Sequence, residues 1–146
     1  MKVATLQDLV AADDPANLEF PTGFDYDTSV ESVRSVQLPL ESLLGEKVQL
    51  DTAMQDSSHF AELVVYDRPG GGNRYEAYVA VRFSAFGHFF TVWGLSSLRP
   101  LPDELRARVA ELVGSFGFVY APTELLAQPY TGKFFRDWWL RYFDFI

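Results

Sequence analysis

Apolar and polar positions divide the chain into a short helical opening, a β-rich centre and a helical, aromatic end. Leu6, Leu9 and Val10 recur at the i, i+3, i+4 spacing of one helix face. Thr5 precedes them as a capping residue and Pro15 stops the pattern, so a short helix is expected through about Ala12. Residues 17–29, with Pro21, Gly23 and several Asp, keep no clean period and read as a loop. Residues 32–38 read as a strand, after which Pro39 at a first helical position opens a short turn through Leu44, closed by Gly45. Residues 47–52 alternate Val48, Leu50 and Thr52 with Lys47, Gln49 and Asp51, the period of a half-buried strand.

The centre holds three β-rich segments joined by short turns. Residues 60–66 lead through the Pro69, Gly70, Gly71, Gly72, Asn73 turn into residues 74–83. There Tyr75, Ala77, Val79, Val81 and Phe83 alternate with Glu76, Tyr78, Ala80 and Arg82. Gly87 then leads into residues 88–93. Connections this short cannot join parallel strands, so a three-stranded antiparallel meander is expected. The strongest helical signal follows, with Pro102 at the first helical position, Asp103 and Glu104 in the first turn, and a stripe of Leu105, Val109, Leu112, Val113 and Phe116 ending at Gly117. Residues 118–120 suit a further strand, and Thr123 can cap a single turn through Leu126. In residues 132–146, aromatic pairs at 134/135, 138/139 and 142/143 repeat every four residues, which favours an amphipathic helix. From Arg141 onward the high β propensity of aromatics keeps an extended end as the alternative. The expected fold is α+β: an antiparallel sheet, its meander extended by further strands, packed against one main helix over about 102–116 with short flanking helices.

Composition narrows the class. A chain of 146 residues with 48% hydrophobic residues, 13 of them Phe, carries enough apolar surface for a core, and no linker divides it, so residues 1–146 read as a single domain. No apolar run approaches the roughly 18 to 20 residues that cross a bilayer, and the first ten residues lack a signal peptide's apolar stretch. With no cysteine present, thiolate chemistry, disulfides and Cys-ligated metals are excluded, and a cytoplasmic location is expected.

Charge changes the picture more. The net charge of −8 is unevenly spread: residues 1–67 hold thirteen acids and three bases, residues 68–146 nine bases and seven acids. Between Val3 and Val33 there are seven carboxylates and no base. Such a segment repels phosphate backbones and anionic lipid and attracts a cationic surface, so neither nucleic acid nor membrane is expected as a partner.

Candidate chemistry is sparse. The Gly70, Gly71, Gly72 run lacks the Gly-Lys-Ser/Thr ending and following helix of a phosphate loop, and reads as a hairpin turn. The meander brings His59 opposite the region of Phe83 and keeps His88 near Ser84, with Asp56, Ser57, Ser58 and Glu62 in the neighbourhood. His59, His88, Glu62 and Ser84 are therefore the residues of an alternative reading, a small hydrolase or metal-dependent enzyme, although neither histidine sits in a catalytic or metal-ligating spacing. Solvated turn histidines, no cofactor and no metal are the expectation. Asp13 and Asp14 fall in an acidic loop, whereas Asp25 and Asp27 interleave with Phe24 and Tyr26, the composition of a surface that captures a basic protein. The aromatic end is expected in the core. A non-enzymatic protein-binding domain with Asp13, Asp14, Phe24, Asp25, Tyr26 and Asp27 at its contact surface is the expected function. In its small size, acidity, aromatic content and lack of cysteine the whole chain resembles the immunity proteins of bacterial toxin systems, which implies covering the basic site of a nuclease; that likeness is of composition alone and assigns no residue a role.

Overall fold

The computed structural model describes residues 1–54 and 56–144. Its centre is a five-stranded sheet, β1 (Gln49–Asp51), β2 (His59–Asp67), β3 (Glu76–Ser84), β4 (Phe89–Trp93) and β5 (Val119–Tyr120), in spatial order β1-β2-β3-β4-β5. The first four strands pair antiparallel, as the short turns require, and β5 joins β4 in parallel after a helical crossover. The fold is α+β, as expected. Residues 77–81 of β3 are all buried, Glu76 half-buried, because both sheet faces are covered.

One face carries the larger core. There Leu63, Val81 and Val92 pair across the strands beneath α2 (Tyr26–Leu44) and α3 (Asp103–Gly114). The other face carries Glu62, Arg82 and Thr91 in one row and is overlaid by α5 (Trp138–Phe143), whose Trp139 ring lies 5.4 Å from the Arg82 guanidinium. α1 (Leu6–Ala12) begins at Thr5 with a reciprocal capping box to Asp8, and α4 (Thr123–Leu126) is a single turn.

Several expectations are corrected. Residues 32–38 are not a strand and Pro39 does not begin a turn: both lie inside α2, a helix of 19 residues. Val30, Val33, Val36 and Leu40 are buried on one helix face, and burying each is worth about 1.5–3 kcal/mol, which together outweighs the roughly 3 kcal/mol of an internal proline. Asp25 caps this helix by accepting from the Thr28 amide at 3.1 Å, so the loop read over 17–29 ends earlier, while Gly45 at φ 67° closes the helix as anticipated. Pro102 is the N-cap of α3 rather than its first residue, and Phe116 of the expected stripe lies beyond the helix and is 41% exposed. Likewise Thr123 begins α4 without capping it, since Pro122 holds the cap position. At the aromatic end only residues 138–143 are helical, capped by Asp137; Phe134 is 78% exposed, whereas Trp138, Tyr142 and Phe143 are in the core. Residues 141–143 are thus helix, and 145–146 lie outside the described residues.

Candidate functional site

The acidic loop after α1 is held from below by an arginine 128 residues away from its partner. Arg141 of α5 is fully buried, donates to the Asp13 carboxylate at 2.9 Å and to the carbonyls of Asp14, Asn17 and Leu18 at 2.9–3.1 Å, and lies 4.3 Å from the Phe86 ring centre. The Tyr130 hydroxyl also donates to Asp13, at 2.5 Å, and its own pKa is pushed up to about 12 by burial and by that carboxylate. Asp14 turns the other way and accepts from the Thr22 amide at 3.1 Å and from Asn17 at 2.9 Å, bonds that lower its pKa. Asp13 and Asp14 therefore brace the loop, Asp13 from the side of Arg141 and Tyr130 and Asp14 from the side of Thr22 and Asn17.

What the brace holds up is the following segment. Phe20 and Phe24 stack at 5.1 Å, Phe24 meets the buried Phe60 edge-on at 5.2 Å, and Tyr26 meets the same ring at 6.5 Å. Phe20 and Tyr26 remain 41% and 42% exposed. Asp25 and Asp27 are exposed beside them, and among the described residues neither forms an ion pair. Phe24, Asp25, Tyr26 and Asp27 are thus brought together as read from the sequence.

A groove of about 660 Å³ opens next to them, between residues 21–25, the first turns of α2, the β3–β4 turn and the α3–β5 connection. Its walls include Phe24, Phe60, Phe116 and Phe118, with Asp25 and His88 among its polar groups. His88 is the second of two left-handed residues, after Gly87, in the turn closed by the Phe89 amide donating to the Phe86 carbonyl at 3.1 Å. This is the backbone of a tight hairpin turn, and for a residue other than glycine it costs about 1–3 kcal/mol.

The catalytic alternative is divided by the same geometry. Ser84 and His88 line the groove, but Ser84 Oγ already accepts from the Phe86 amide at 3.1 Å. His59 pairs with Ser84 across the strands, yet it does not line the groove, and its Nδ1 is bonded to the Ser57 hydroxyl. Burial and then the Arg82 charge depress its pKa to about 4, against the pull of Asp51 and a hydrogen bond to the Phe143 backbone. Glu62 is sealed against Arg82 at 2.7 Å and accepts from Trp93 Nε1 at 3.2 Å. Among the described residues no three His, Asp or Glu side chains converge to hold a metal ion, and no helix is long and apolar enough to cross a membrane.

Comparison with family models, curated proteins and solved structures matched nothing to this chain.

Two features of the site had no signal in the sequence. Arg141 carries the loop although it reads as a polar position between aromatics, and Phe116, Gly117 and Phe118 form a groove wall although they read as a helix end and a strand. Both depend on pairings across the whole chain.

Proposed function

We propose that this chain is a non-enzymatic binding domain that docks a cationic protein on the Asp25–Asp27 rim and its adjoining groove. The observation that carries the reading is the contrast among the acids of residues 1–67. Asp13, Glu46, Glu62 and Asp67 are neutralised by arginines of the later portion, while Asp25 and Asp27 stand exposed and, among the described residues, without an ion pair, beside a stack of aromatic rings and the groove that Asp25 lines. Aromatic anchors within an acidic rim are the chemistry by which small proteins capture basic ones. The partner that best fits it is a protein with a cationic substrate-binding face, such as a nuclease, so the domain is read as an immunity-type inhibitor.

The test keeps the helix cap intact. Asp25→Asn preserves an oxygen for the Thr28 amide, and Asp27→Lys reverses the neighbouring charge. Wild-type protein immobilised at about 50 mM NaCl is expected to retain a basic protein from lysate and release it by about 300 mM, whereas the double variant retains none. Equal retention by both forms, or retention of an acidic protein only, contradicts the reading.

A further inference from the structure

Three arginines of this chain pair with carboxylates 20 or more residues away in sequence, and all three do so in the same way. Arg82 pairs with Glu62 at 2.7 Å between the rings of Trp93 and Trp139, at 5.1 and 5.4 Å. Arg99 pairs with Glu46 and Asp67 at 2.8 Å, 3.5 Å over the Tyr78 ring. Arg141 pairs with Asp13 at 2.9 Å, 4.3 Å over Phe86. In each cradle a carboxylate fixes the in-plane N–H groups while a ring covers a face of the guanidinium, which is weakly hydrated and stacks readily. The remaining arginine ion pairs, to Glu31, Glu76 and Asp137, join residues no more than three apart.

The groove repeats the carboxylate and the rings of this combination without a guanidinium among its described lining residues. Among the described residues Asp25 is the sole carboxylate lining it and no Lys or Arg lines it, while Phe24, Phe60, Phe116 and Phe118 supply ring surface. One Asp25 oxygen, Oδ1, accepts from the Thr28 amide, and the other accepts nothing from the described residues. The geometry points to a fourth arginine cradle: the groove binds the guanidinium of an arginine side chain presented by a separate protein. This rests on the docking reading and names the anchor residue the partner must offer. Arginine is favoured over lysine because a flat ion between rings uses both its face and its edge, whereas an ammonium keeps its hydration shell.

Butylguanidinium is the probe, with butylurea as its neutral isostere, titrated into the ¹⁵N-labelled full chain and read by amide chemical shifts. Saturating shifts are expected at Gly23, Gly87, His88 and Gly117 in the millimolar range, about fivefold to tenfold weaker in Asp25→Asn and without saturation for butylurea. Shifts spread over surface carboxylates, unchanged in Asp25→Asn or reproduced by butylurea, overturn the inference. Shifts at the same amides on concentrating the protein alone also overturn it, since a second copy then fills the groove. If the probe fails while the Asp25→Asn, Asp27→Lys variant still loses its partner, the arginine cradle falls and the docking reading stands.

Discussion

At the scale of single residues, the side chains with the tightest environments are structural, and the accessible ones carry the proposed function. Arg141 and Asp13 show the first kind: a buried guanidinium with four hydrogen bonds to one loop is strongly destabilising to unpair. His59 belongs with them, and its protonation has a measurable signature. Because its pKa falls from 6.5 in the unfolded chain to about 4 in the fold, the unfolded state binds the extra proton first as pH drops. Stability is then full above about pH 6.5 and is lost progressively down to about pH 4. Chemical denaturation at about pH 7 and about pH 5 is expected to show a loss of roughly 1–2 kcal/mol, which His59→Gln removes from the pH dependence whatever it does to absolute stability. The lowered carboxylates Asp8, Asp14, Asp67 and Glu76 lose their contribution as pH falls through their ordinary values of 3.8 for Asp and 4.5 for Glu and below, so the interval between about pH 7 and about pH 5 reports mainly His59. An unchanged slope in the variant contradicts the assignment.

At the scale of elements, caps and turns were legible where local chemistry alone decides them. Thr5 with Asp8, Gly45 at its left-handed position and the meander turns all sit where local chemistry places them. The reading failed at α2 because Pro39 was given its usual meaning, while the buried row Val30, Val33, Val36 and Leu40 outweighs it. It failed again before α5, where Phe134 at φ 78° turns the chain outward, and aromatic spacing alone does not reveal a break. Pro39 is thus tolerated at a cost. Pro39→Ala restores an amide donor to the helix and is expected to raise the unfolding free energy by about 1–3 kcal/mol in urea titration. A loss of stability would mean that the proline ring contributes more by packing than it costs.

At the scale of the whole molecule, the charge count along the chain overstates the available field. Part of the −10 balance of residues 1–67 is cancelled once Arg82, Arg99 and Arg141 fold back onto Glu62, Glu46, Asp67 and Asp13. Linear sequence cannot show this, because the pairings span from 20 to 128 residues. Part of the proposed contact surface was therefore legible: Phe24, Asp25, Tyr26 and Asp27 are adjacent in sequence and stay together in space, while Asp13 is tied to Arg141 and Tyr130 and Asp14 to Thr22 and Asn17. What is left is a narrow acidic rim, so charge should act mainly on the rate of encounter. The most direct test is the association rate constant with the captured partner, measured by stopped flow from about 20 to about 300 mM NaCl for wild type and for Asp25→Asn, Asp27→Lys. For wild type the rate is expected to fall at least about tenfold over this range, with a markedly shallower dependence in the variant. A rate indifferent to salt, or equally steep in both proteins, would contradict the docking reading.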